Sequence, residues 1–235
     1  MRLQIVQFFI LLICAGHLAA QANGVVVGGK WADQIAISDV NGRPFENRYA
    51  DVNGSPYFDA EYKFSKIILN NGPKFVNIKT KINLVTQQTV FITANEMEAY
   101  LDAGSVKEIT YADTNTTGIT LYKFQTGFPP ADKQTINNFY QVLAEGRCSF
   151  LKSVTKNISE RKSELSGEIS KDFETTENYY LFVKGEMKNL KKDKTLILLQ
   201  LADKQDQINQ FIQSNKINYK NTVDLAKLFT FYNTL

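Results

Sequence analysis

Histidine is nearly missing from this chain, and cysteine is scarce. Among 235 residues there is one histidine, His17, and there are two cysteines, Cys14 and Cys148. Tryptophan occurs once and proline five times. No apolar run reaches the roughly 20 residues that a membrane-spanning helix requires. Neither sign of charge dominates: 27 basic side chains stand against 24 acidic ones, a formal net charge of +3. So even a balance does not select nucleic acid or an acidic membrane as partner.

The longest apolar stretch, Phe8 to Ala15, follows a single charge at Arg2 and precedes small residues at Ala19, Ala20 and Ala22. That is the pattern of a secretory signal peptide, with cleavage expected before Asn23 or after Ala20. Lipidation at Cys14 is disfavoured, because Ile13 precedes it where a small residue is wanted. Cleavage at Asn23 would remove Cys14 and His17 together. The mature chain would then hold no histidine and one cysteine. Ser-His-Asp and Cys-His catalysis, histidine-ligated zinc or haem, and an intrachain disulfide are all excluded on that reading. No metal or other cofactor is expected. Cys148, with Gly146, Phe150 and Leu151 around it, is read as a buried, inert thiol, the remaining alternative being an intermolecular disulfide. The localisation expected is exported: periplasm or outer envelope, with no transmembrane span in the mature chain.

What is abundant is β-pattern. Val76, Ile78, Thr80, Ile82 and Leu84 alternate with Asn77, Lys79, Lys81 and Asn83, which predicts a strand with one buried face. Tyr62–Leu69 precedes it, and Asn70-Asn71-Gly72-Pro73 between the two predicts a hairpin. Further strands are expected at Val90–Thr93, Val106–Tyr111 and Ile119–Phe124, with weaker candidates at Trp31–Ile37 and Phe45–Ala50. Two more hairpins are centred on Glu145-Gly146 and Lys184-Gly185. The polar segment 156–177 is read as a long loop, with a short helix carrying Leu165, Ile169 and Phe173 as the alternative. Beyond Asp193 the period changes from 2 to 3.6, predicting helices at Lys194–Leu201, Asp203–Asn215 and Thr222–Asn233. The fold class expected is α+β. Residues 1–22 are expected to be the signal peptide. Residues 23–190 form a curved antiparallel sheet, an open barrel or sandwich-like body. Residues 191–235 form two to three helices packed on it.

Several motifs have simpler readings. Gly24-Val25-Val26-Val27-Gly28-Gly29-Lys30-Trp31 approaches a phosphate-binding loop but has Trp31 where a hydroxyl must hold magnesium. Asn53-Gly54-Ser55, Asn115-Thr116-Thr117 and Asn157-Ile158-Ser159 match glycosylation acceptors and are read as ordinary loop residues. Asp39-Val40-Asn41-Gly42 and Asp51-Val52-Asn53-Gly54 lack the further ligands of a calcium loop and are read as turns. Lys184, Lys188, Lys191, Lys192 and Lys194 are read as guards of a sheet edge rather than an anion or lipid-headgroup site. Two constellations remain as site candidates. Tyr57, Phe58, Tyr62 and Phe64 form an aromatic cluster that could contact a ligand. Asp51, Asp59 and Glu61 flank it and are the carboxylates a hydrolase would need.

A resemblance rests on short motifs spread over most of the mature chain. They are Gly54-Ser55-Pro56-Tyr57, Ser105-Val106-Lys107-Glu108-Ile109, and Phe139-Tyr140-Gln141-Val142-Leu143 with Gly146. Leu190-Lys191-Lys192, Asp203-Lys204-Gln205, Phe211-Ile212, Asn215-Lys216 and Phe231-Tyr232-Asn233 follow. With these the chain resembles a family of exported Bacteroidota envelope proteins to which no activity is attached. The resemblance implies a Gram-negative envelope location and a β-plus-helix architecture, and it carries over no catalytic residue. The function expected is a non-enzymatic binding or interaction protein of the cell envelope. The alternatives are a periplasmic carrier of a lipid or other hydrophobic ligand, and a carboxylate-based hydrolase. Partners expected are an envelope protein or a hydrophobic ligand.

Overall fold

A computed structural model describes residues 49–115, 118–165 and 167–235. The expected signal peptide, the Gly24–Trp31 segment, Asp39–Gly42, Thr116-Thr117 and the strand at Trp31–Ile37 lie outside them. Of the expected strand at Phe45–Ala50, the described residues Tyr49 and Ala50 form a turn.

The β pattern produces one ten-stranded antiparallel sheet. Its strands are β1 (Lys63–Leu69), β2 (Lys74–Asn83), β3 (Gln88–Ile92), β4 (Glu98–Leu101), β5 (Val106–Asn115), β6 (Gly118–Gln125), β7 (Tyr140–Ala144), β8 (Cys148–Lys162), β9 (Ile169–Val183) and β10 (Glu186–Asn189). The order across the sheet is β10-β9-β8-β7-β6-β5-β1-β2-β3-β4, and the sheet does not close. It is strongly curled. Three strands separate β4 from β5, which in a flat sheet would put them about 19 Å apart. Yet a single turn joins them, with the Ser105 amide donating to the Asp102 carbonyl at 3.0 Å, and such a turn spans under ~7 Å. The sheet therefore rolls over on itself, and its inner face is filled by Ile67, Leu69, Ile82, Phe91, Leu101, Ile109, Tyr111 and Phe124.

The hairpin β1–β2 forms where the alternation and the Asn-Asn-Gly-Pro turn place it. Its alternation breaks once. Ser65 pairs with Ile78 but Ile67 with Phe75, so β2 carries one extra residue. Asn77 takes that residue up at φ +58, a β-bulge. The bulge reverses the faces beyond it: Phe75 packs on the core, and Val76 is left 37 % exposed.

The segment 156–177, expected as a loop, is the distal half of a fifteen-residue hairpin between β8 and β9, paired in unbroken register from Cys148↔Val183 to Lys162↔Ile169. The expected short helix is absent from it, and Asn157-Ile158-Ser159 lies on β8 rather than in a loop. Both faces of this ribbon are largely polar, so the chain shows no period-2 signal. Its order comes from the backbone ladder between its two strands. Two other segments strap it down: before β1, Asn53 bridges Asp172, and just after β2 the Leu84 carbonyl accepts from the Lys156 amide at 3.0 Å.

The helices cover one face of β7–β9. They are α1 (Lys194–Gln200), α2 (Gln205–Asn215) and α3 (Thr222–Thr234), with one 3-10 turn at Ala202–Lys204. Asp193 caps α1 through the Leu196 amide, and Asn221 caps α3 through the amides of Val223 and Asp224. Leu225, Leu228, Phe229 and Tyr232 are the buried stripe of α3, and Phe229 meets Phe150 of β8 at 5.1 Å. On the opposite face, Tyr140, Leu151 and Tyr180 are covered by Phe128 and Ala131 of the Pro129-Pro130 segment. No helix among the described residues is long and apolar enough to cross a membrane.

Candidate functional site

The aromatic cluster divides along the pleat. Residues 56–58 lie beside the far end of β2: Leu84 donates its amide to the Pro56 carbonyl, Tyr57 bridges Asn83, and the Phe58 amide donates to the Ile82 carbonyl. Neighbouring residues then face opposite ways. Phe58 points inward, half-buried, and packs edge-on against Phe124 at 4.9 Å and Tyr122 at 5.7 Å. Tyr57 points outward, where it joins Tyr62 and Phe64.

On that outer face the register aligns Lys81 with Val90 and Val90 with Tyr100 of β4. The Lys81 ammonium lies 5.0 Å from the centre of the Tyr57 ring and 4.1 Å from that of Tyr62, a cation–π pair of contacts. Tyr62 donates its hydroxyl to the Glu98 carboxylate. Burial, then the hydrogen bond to Glu98 and its charge, hold the Tyr62 phenol well above its ordinary pKa. Tyr57 is raised by burial and then by the Glu98 charge, and Tyr100 by burial and then by Tyr57. All three are neutral at ordinary pH. Phe64 stands beside them, 62 % exposed, with the Lys79 ammonium 5.6 Å from its ring centre. The result is a fixed aromatic surface with two cations and one carboxylate set into it.

Two of the expected carboxylates, Asp51 and Asp59, are held in ion pairs. Asp51 is bound to Lys171 at 2.6 Å, and that hydrogen bond lowers its pKa, the reverse of what a general acid needs. Asp59 and Asp113 hold Lys63 between them at 3.2 and 3.0 Å. Glu61 donates its amide to Asp59 and lies in an exposed corner. The cavity bounded by Phe58, Asp59, Glu61, Lys63, Lys81 and Tyr111 has a volume of about 10 Å³, room for one water at most. Among the described residues no group of three or more His, Cys, Asp or Glu side chains could hold a metal ion.

Four contributors were not foreseen. Glu98 and Tyr100 belong to β4, a four-residue strand too short to show a period. Gln87 is buried and ties the two halves of the sheet: its amide nitrogen donates to the carbonyls of Leu84 and Val154, and its oxygen accepts from the Phe139 amide. Lys156 donates to the carbonyls of Ser55 at 2.6 Å and Tyr57 at 2.9 Å, fixing the backbone that presents Tyr57. Burial lowers its pKa. Of the expected basic run, Lys192 is spent internally, 3.8 Å from the Tyr179 ring centre and hydrogen-bonded to Thr222, while Lys188 lies on the edge strand β10. No protein-family model, no curated protein and no solved structure matches this chain.

Proposed function

We propose that this is an exported, non-enzymatic binding protein of the bacterial cell envelope, and that it recognises a protein partner through the outer face of β1–β4. The observation that carries the reading is the aromatic surface of Tyr57, Tyr62, Tyr100 and Phe64 around Lys81. Tyrosines with few rotatable bonds, held in place before binding, lose little entropy on contact and present both apolar area and hydroxyls. Such residues, ringed by charge, dominate the energy of protein interfaces. The paired state of Asp51 and Asp59 supports a binding role over hydrolysis. The side chains filling the rolled half occupy the space that a carried hydrophobic ligand would need, which supports surface recognition over a carrier.

The test has two parts. Produced in a Bacteroidota host and fractionated, the chain is expected in the envelope, with an intact mass beginning at Asn23 or Gln21. The double variant Tyr62→Ala, Phe64→Ala is expected to remain folded and exported but to lose co-purifying envelope protein. An uncleaved cytosolic chain contradicts the export half. A variant that retains its partner contradicts the binding face.

A further inference from the structure

A second surface is built for a different occupant. The pairing of β6 with β7 is confined to Phe124↔Gln141 and Gln125↔Tyr140. Among the described residues nothing pairs with the β7-side edge of Gly118–Lys123. The partner strand β5 also outruns β1, whose last contact with it on that side is Ser65↔Tyr111. Ala112–Asn115 of β5 and Gly118–Leu121 of β6 therefore have no strand on their outer edges among the described residues. There Ile119 is 74 % exposed and Leu121 68 % exposed, both on one face with the exposed Ala112.

Sheet edges are normally guarded by charge, proline or a bulge. The edge strand β10 follows that rule with Glu186 and Lys188. Gly118-Ile119-Thr120-Leu121-Tyr122 contains no charge and no proline, and its register with β5 runs without a shift. An unguarded edge bearing two exposed aliphatic side chains is a template for another strand.

The sequence of that edge is complementary to itself. The Thr126 amide donates to the Lys107 carbonyl of the β5 chain, so even-numbered residues along β6 bond towards β5. Odd-numbered residues, Ile119 and Leu121 among them, thus direct their N–H and C=O groups to the open side. We infer that two copies of this chain pair antiparallel through their β6 edges, with a two-fold axis at Thr120. In that register Ile119 faces Leu121 of the second copy and Leu121 faces Ile119. Each such pair exchanges two backbone hydrogen bonds. The four aliphatic side chains meet on one face. Thr120 faces Thr120 as a non-hydrogen-bonded pair, and Tyr122 lies against the side-chain-free Gly118. No like charges oppose one another. Two-fold pairing of this kind is closed, so it yields a dimer rather than a fibre.

The register makes the test specific. In a non-hydrogen-bonded pair the Cα atoms stand ~4.5 Å apart, within the span a disulfide bridges. Thr120→Cys under mild oxidation should give a covalent dimer, while Ile119→Cys and Leu121→Cys, each facing the other residue, should not. Native Cys148 is buried and does not compete. In sedimentation over a dilution series, the purified chain should pass from dimer to monomer. Leu121→Lys should raise the dissociation constant by roughly tenfold or more, with an unchanged circular dichroism spectrum. Should Leu121→Lys not fold, the three conservative cysteine variants decide. A chain monomeric at every concentration overturns the inference. So does a dimer that Leu121→Lys leaves intact, or one that Thr120→Cys fails to lock.

Discussion

Asn233 shows how much of this fold hangs on single side chains. Its amide reads the start of β8 as a strand would: the Cys148 amide donates to its oxygen, and its nitrogen donates to the carbonyls of Cys148 and Glu145. Gly146 makes this approach possible, since a Cβ there would stand 2.5 Å from the Asn233 Cγ. Gly146→Ala is therefore expected to lower stability by about 1–3 kcal/mol, measured by denaturant unfolding. Cys148 sits beneath the same contact, 2 % exposed, and burial pushes its thiol up to about 11. Its thiol should be silent to a thiol reagent in the native protein and react fully once the chain is unfolded. Rapid native reaction would refute the burial. Lys156 is the other residue of this kind. Lys156→Met leaves two carbonyls without their donor, and a loss of about 1–3 kcal/mol is expected in the same assay.

Among the elements, the β8–β9 ribbon is the one whose character the sequence concealed. Apart from the four-residue β4, the strands of the rolled half were legible because one face is buried and one is wet. Val76–Leu84 announced its strand even though the bulge at Asn77 turned Val76 outward. The helices were legible from Leu225, Leu228, Phe229 and Tyr232, and from the caps Asp193 and Asn221. The ribbon has no buried face along Asn157–Lys162, so nothing periodic is written there. Its order comes from pairing with a distant segment. Hydrogen exchange distinguishes ribbon from loop: amides of the β8–β9 ladder should be protected, whereas a loop would exchange at once. Likewise Tyr57, Tyr62 and Phe64 were legible as an aromatic cluster. Which of the four faces outward was not, because that depends on the strand-like placement of residues 56–58 against β2.

The same ribbon carries a pH dependence. Burial tends to raise the Glu177 carboxyl, but hydrogen bonds from Lys152, at 2.5 Å, and Tyr179 outweigh it and hold the pKa below the ordinary value. Glu108 behaves alike: burial raises it, and Gln125 and Lys123 lower it further. Both carboxylates are lowered on folding, so their contribution is complete above the unfolded carboxylate pKa of roughly 4.3. It is lost as pH falls from there through the lowered folded values. Melting temperatures should therefore decline below about pH 4. In Glu177→Gln, Glu108→Gln that decline should be shallower.

At the scale of the whole molecule, the rolled sheet places two surfaces apart from the helical layer. One is the outer aromatic face of β1–β4, and the other is the open edge of β6. The helices bury Ala144, Cys148, Phe150 and Leu181 and so complete the core. Several quoted motif residues have structural duties in this arrangement. Gly146 and Asn233 lock α3 to β8, Lys216 closes α2 in a left-handed conformation at φ +50, and the Ser55 and Tyr57 carbonyls receive Lys156.

The binding claim is tested most directly by a photo-crosslinking amino acid placed at Phe64 in cells, with Glu186 on β10 as the comparison position. A discrete adduct with one envelope protein is expected from position 64 and none from position 186. Tyr62→Ala is expected to abolish the adduct while leaving the chain exported and folded. Equal crosslinking from both positions, or an adduct indifferent to Tyr62→Ala, would contradict it.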